Sequence, residues 1–208
     1  MPSQTNQLSA RLEIIARMTT LCAVRRRQEA FLLIKHFLRN KRCSPRFFKE
    51  LLIHLSLFFG YPLLLEGMEQ ITTVSRTPRT PRRWKSRSQE GRHVFGLVYG
   101  EQAGKVLAKL EALEPGLSKH IVEHAYGTIM ARPGLTLAER EIINIVALFV
   151  EGYEPQLFSH IRGALLVGVK PSVIQSVLSL SGSIASRRSK RAEVIVRHVA
   201  GGLKKSLF

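Results

Sequence analysis

The chain has 208 residues, 45% of them hydrophobic, enough for one large domain or two small ones with a genuine core. Its 32 Lys and Arg against 15 Asp and Glu leave a net charge of +17. That charge fits nucleic acid or an anionic membrane, a protein with basic loops, or acidic small-molecule substrates, and does not choose among them. Cys22 and Cys43 form no Cys-x-x-Cys and no Cys/His cluster, which speaks against a disulfide scaffold, a structural zinc site and a dithiol redox centre, and for a cytoplasmic protein.

Taken in chain order, Met1 to Ala10 is polar and lacks the apolar core of a signal peptide. The spacing of Ile14, Met18, Leu21 and Cys22 predicts an amphipathic helix, and FLLIKHFLRN at 31–40 predicts a second. Ser44-Pro45 reads as the start of a third, with Ser44 as N-cap and Pro45 at the first helical position. The apolar stretch 47–67 is interrupted by Lys49, Glu50 and His54 and then by Gly60-Tyr61-Pro62, so its clean part is too short to span a bilayer. It is expected to be a buried helix end and turn, with no membrane partner.

Residues 75–92, SRTPRTPRRWKSRSQEGR, combine two Thr-Pro steps with many Arg and form the best linker candidate. A solvated loop is the plain reading, and a stacking-plus-phosphate site on Trp84 the sharper one. Further on, Thr136 with Glu139 three residues later predicts a capping box ahead of the helical run Ile142, Ile145, Val146 and Phe149. Lys170-Pro171 followed by Ser172 opens a last helix. Strand and hairpin signals are nearly absent, so the fold class is all-α.

The chain also reads as an internal duplication. Leu12-Glu13-Ile14-Ile15 resembles Arg140-Glu141-Ile142-Ile143, and each is followed by an apolar helix, a break, a second apolar helix and a Pro-opened third. The expected organisation is a first repeat at 1–74, a basic linker at 75–92 and a second repeat at 93–208.

Several polar residues sit where chemistry is possible. Glu141 lies one turn into its helix beside Ile142 and Ile143, at the edge of an apolar face, where burial would raise its pKa towards neutrality. His160, among Leu157, Phe158, Ile161 and Leu165, is positioned to meet Glu141 across the break at 152–155. Each has a competing reading as a satisfied structural polar group, and Glu141 also as a favourable charge near a helix start. Arg132 precedes a Pro133-Gly134 turn, which suits either a carboxylate clamp or a turn cap. Arg140 and Arg162 read as ion-pair partners. Glu50 and His54, four apart, share one helix face and complete a pocket or form a buried pair.

Residues 124–178 resemble the carboxymuconolactone decarboxylase family within the alkylhydroperoxidase-like superfamily. The matching positions are Gly127, Arg132, Pro133, Gly134, Leu135, Arg140, Glu141, His160, Arg162, Gly163, Ala164, Leu165, Gly168 and Pro171. In the first copy FFKELLIHLSLFFGYP resembles the family's closing helix, through Glu50, His54, Gly60 and Pro62.

The resemblance implies a helical bundle of two tandem copies, and a homo-oligomer in which a two-copy chain forms a trimer. It implies cofactor-free decarboxylation, or proton transfer, on a small carboxylated lactone or related acid. Glu141 and His160 would move the proton and Arg132 would clamp a carboxylate, with Glu50, His54 and Arg162 binding substrate. The superfamily's thiol branch needs cysteines where this chain has Tyr153 and Gln156, neither of which forms a thiolate.

Three departures stand out: Thr128, Ile129 and Met130 where a Trp is frequent, Gln175-Ser176 where a Glu is usual, and Ser186-Arg187-Arg188 where the first copy keeps Gly-Tyr-Pro. They imply one site per chain or a degenerate one. The alternative function is a catalytically inactive member that binds nucleic acid or another polyanion through 76–92 and the RRSKR run at 187–191.

Overall fold

Local chemistry starts and stops the helices where the sequence places its caps. In the computed structural model, which describes residues 8–75, 88–185 and 194, α1 (Ala10–Ala23) is capped by Ser9, whose Oγ accepts the Leu12 amide at 3.3 Å. Helix α2 spans Arg27–Arg39 and α3 spans Pro45–Val74, where Ser44 Oγ accepts the Phe47 amide at 3.2 Å and Pro45 fills the first turn. Next come α4 (Ser88–Tyr99), α5 (Ala103–Leu113) and α6 (Leu117–Ile121), the last running straight into a π-helical segment, Val122–Met130. The chain closes with α7 (Leu137–Glu151), α8 (Glu154–Leu166) and α9 (Pro171–Ala185). No strand occurs among the described residues, so the all-α expectation holds.

Helix α7 is the centre of the bundle. Ile142, Ile143, Ile145 and Val146 are fully buried, and the helix packs against α1, α8 and α9 while the first arm of α3 reaches it from the other side. Its start carries the capping box read from the sequence: Thr136 Oγ1 accepts the Glu139 amide at 3.1 Å, and Glu139 Oε2 accepts the Thr136 amide at 2.8 Å. A smaller cluster, Phe95, Val98, Val122, Tyr126 and Met130, joins α4 to the π-helical segment.

At Gly60 α3 breaks into two helical arms that meet at a kink, where Gly60-Tyr61-Pro62 predicts a helix end or bend. The Gly60 φ of 76° and ψ of 179° are open to glycine and strained for other residues, and Pro62 restarts the helix just beyond. Pro45–Val74 has the length and composition of a membrane-crossing helix. The bend divides it into arms at 45–59 and 61–74, each about 22 Å long or less, against a hydrocarbon core of about 30 Å. The first arm is a core helix through Phe47, Phe48, Leu51, Leu52 and Leu55.

Helices α1–α3 and α7–α9 follow the same order of helix, break, helix and Pro-opened helix. The expected linker is shorter than its composition indicated, because α4 already begins at Ser88. Gly91 explains why: a Cβ there would fall 2.3 Å from the Val122 carbonyl oxygen, so only glycine lets the two backbones pack this closely. Residues 76–87, with Trp84, and the basic run at 187–191 lie outside the described residues.

Candidate functional site

The turn at Arg132-Pro133-Gly134 brings a loop guanidinium onto the first arm of α3. Gly134 has φ +112°, and a Cβ on it would come within 2.9 Å of Glu50 Cγ. Arg132 then grips Glu50 with a parallel pair of bonds, Nε to Oε2 at 2.8 Å and Nη2 to Oε1 at 2.9 Å. Its fork is thus engaged by a carboxylate of the chain itself.

Arg140, fully buried on α7, donates from Nη2 to the Arg132 carbonyl at 2.9 Å and to Glu50 Oε2 at 3.4 Å, and from Nη1 to His54 Nδ1 at 3.2 Å. Burial pulls its pKa down to about 10, with Glu50 acting in the other direction, so it stays a cation at neutral pH. Burial and then the Arg140 charge push His54 down to about 3. His54 is therefore neutral.

A direction of hydrogen bonding follows. A guanidinium only donates, so His54 Nδ1 accepts and its proton sits on Nε2. Nε2–H donates to Asn144 Oδ1 at 2.8 Å, which fixes the amide, and Asn144 Nδ2 donates to Glu141 Oε1 at 3.1 Å. Glu141, fully buried on α7, accepts through Oε2 from His160 Nδ1 at 2.9 Å. That contact is shorter than the 3.3 Å between His160 Nδ1 and Asn144 Nδ2, so the proton on Nδ1 points at the carboxylate. The His160 tautomer is then Nδ1–H, with the lone pair on Nε2.

The chain of bonds runs from Arg132 and Glu50 through Arg140, His54, Asn144 and Glu141 to His160. Its last ring keeps 14% exposure, while every group between Glu50 and Glu141 is buried. Gly163 leaves the room this needs: a Cβ there would lie 2.8 Å from Val98 Cγ1 and 3.1 Å from Glu141 Oε2. Beside His160 stands Tyr99, ring centroids 6.3 Å apart, and the Tyr99 and Tyr126 hydroxyls lie 3.1 Å from each other.

Of the six residues singled out in the sequence, five lie on this chain of bonds. Arg162 lies two positions beyond His160, on another side of α8, and has a buried Nε without a hydrogen-bond partner. Asn144 was missed, although a lone amide in the run Ile142-Ile143-Asn144-Ile145-Val146, three residues from Glu141, is a visible signal. Tyr99 and Tyr126 had none, because only tertiary packing brings α4 to the π-helical segment. Among the described residues no cluster of His, Cys, Asp or Glu is arranged to hold a metal.

Residues 115–191 match the model of the Carboxymuconolactone decarboxylase family. The match takes in Arg132, Arg140, Glu141, Asn144 and His160. It leaves out α3, which gives the site Glu50 and His54. Of the two expected copies, only the second falls within the match. The chain is also similar to Peroxisomal protein 2 of Schizosaccharomyces pombe, 23% identical over 144 residues that make up 66% of this chain and 68% of that protein. Peroxisomal protein 2 of Saccharomyces cerevisiae is 27% identical over 94 residues, 45% of this chain and 33% of the relative.

Proposed function

We propose that this chain is a cofactor-free enzyme that moves a proton to or from carbon in a small carboxylated lactone or related acid, with decarboxylation as the net reaction. The observation that carries this reading is the 2.9 Å bond between His160 Nδ1 and the buried Glu141 carboxylate. An acceptor on Nδ1 orients the ring, leaving Nε2 to take up or deliver a proton. Losing carbon dioxide from an unsaturated acid leaves a delocalised anion, which needs both a proton donor at carbon and positive charge nearby. His160 supplies the first and the Arg132–Arg140 pair the second. A substrate carboxylate that used Arg132 would compete with Glu50 for the fork.

The test is turnover of 4-carboxymuconolactone by the purified chain in deuterium oxide, followed by proton NMR. Loss of carbon dioxide, with the electron pair delocalised towards the lactone carbonyl, should place deuterium on the carbon alpha to that carbonyl as the enol-lactone forms, and His160→Ala or Glu141→Gln should slow the reaction by about 100-fold or more. No turnover of this lactone and its close relatives, or full activity in His160→Ala, removes the reading.

Two further readings go with it. The matched order of α1–α3 and α7–α9 supports a duplicated origin, with the working site on the second copy completed by α3 of the first. The shared name of the two relatives supports placing this chain in the peroxisome instead of the cytoplasm. An amino-terminal fluorescent fusion that stays diffuse beside a peroxisomal marker would contradict that placement.

A further inference from the structure

Two phenols line the same site, and the chain of bonds ending at His160 uses neither. Tyr126, on the π-helical segment, is 4% exposed, and Tyr99, at the end of α4, is half-buried. Phe95 holds both rings, 4.4 Å from Tyr99 and edge-on at 4.8 Å from Tyr126. The π-helical register, in which the Ala131 amide reaches the Tyr126 carbonyl at 2.8 Å, is a departure from α geometry of the kind that recurs at functional sites.

Counting protons gives the decisive step. Two phenols bring two O–H groups, and the bond between them, 3.1 Å from Tyr126 Oη to Tyr99 Oη, uses one. The other is on Tyr99, the less buried ring, whose centroid is 6.3 Å from that of His160. Burial, and then the Glu141 charge among lesser causes, keeps both phenols protonated well past neutral pH. A partly buried O–H donor beside a proton-transfer histidine calls for an acceptor, and among the described residues the hydrogen bond of Tyr99 is the one to Tyr126.

We infer that the Tyr99 hydroxyl, backed by Tyr126, donates to the substrate's carbonyl oxygen as negative charge builds there, so the site takes acids whose reacting carbon is conjugated to a ketone or lactone carbonyl. This rests on the proposed proton-transfer reading and adds the group that receives the charge. As the carboxylate leaves, the electron pair of the C–CO2 bond moves through the conjugated system to the carbonyl oxygen, which accepts the Tyr99 hydrogen bond, and carbon dioxide departs. The pair then returns to the carbon alpha to the carbonyl, which takes a proton that the His160 Nε2 lone pair has first taken up from water, and the ring returns to its neutral Nδ1–H form. The Tyr126 hydrogen bond makes Tyr99 a stronger donor without adding charge.

Nitrophenolates, planar delocalised oxyanions, are the probe. The full chain is titrated with a series of nitrophenols at a pH where all are ionised, and binding is read from their visible absorbance. In wild type, affinity should rise with phenolate basicity. In Tyr99→Phe the dependence should flatten and 4-nitrophenolate affinity fall by about 10- to 100-fold, with a smaller loss in Tyr126→Phe. The wild-type series is informative even if a variant fails to fold: a flat series, or no binding, overturns the inference, as does equal affinity in a folded Tyr99→Phe. If His160→Ala abolishes lactone turnover while Tyr99→Phe binds nitrophenolates normally, the donor assignment falls and the Glu141–His160 reading stands. If nitrophenolates bind through Tyr99 but no carboxylated lactone is turned over, the donor assignment stands and the decarboxylase reading falls.

Discussion

Acidification acts on the site through a residue far from solvent. His54 has a folded-state pKa of about 3 against 6.5 for the free side chain, because the ring is buried and faces the Arg140 guanidinium. Between those values the unfolded chain binds a proton that the folded chain refuses, so stability rises with pH across the window and is lost as pH falls from about 6.5. At pH 5.0 the loss from this residue is about 2 kcal/mol, approaching roughly 4 to 5 kcal/mol near pH 3. The assay is urea unfolding at pH 7.5 and pH 5.0 of wild type and of His54→Gln, which keeps an amide donor for Asn144 but does not titrate. Other groups titrate alike in both proteins and cancel in the comparison. Wild type should lose about 2 kcal/mol more than the variant. Equal losses would refute the placement of a neutral His54 against Arg140.

Other consequences are local. Glu50→Ala leaves Arg132 and Arg140 facing one another without that carboxylate, and should cost about 3–5 kcal/mol in chemical denaturation, with Glu50→Gln recovering part of it. Gly163→Ala places a methyl group 2.8 Å from Val98 Cγ1 and 3.1 Å from Glu141 Oε2. It should cost about 1–3 kcal/mol and, on the proposed function, reduce turnover by displacing the Glu141 carboxylate. Thr136→Ala removes the cap of α7 and should cost about 1 kcal/mol with kcat unchanged, separating helix stability from site geometry. Light scattering on the purified chain tests the trimer that the family resemblance implies, and the mass of a monomer argues against it.

Legibility in the sequence followed the range of each interaction. The capping box at Thr136 and Glu139 and the Ser44-Pro45 start are set within four residues, and both are found where the spacing puts them. The meeting of Glu141 with His160 was readable because one short break folds α7 and α8 into a hairpin. The Arg132–Glu50 bond joins residues 82 apart in the sequence. Both residues were singled out, yet neither pattern nor charge showed that they would hold each other. Glu141 was expected at the edge of an apolar face and is fully buried, because Gly163 lets α8 close over it. The start of α4 was hidden by a basic, proline-rich composition that ends only a few residues earlier, and Tyr99 by its separation from Tyr126.

The account stands on His160 holding its Nδ1 proton against Glu141 and so keeping Nε2 as the exchanging atom, because every proposed proton transfer passes through Nε2. Nitrogen-15 NMR of the histidine-labelled protein reads the tautomer directly, with His160→Gln supplying the assignment. The prediction is a protonated Nδ1, hydrogen-bonded to Glu141, beside a lone-pair Nε2. A ring protonated on Nε2 and bare on Nδ1 would contradict the chain of bonds from Arg140, and the proposed chemistry with it.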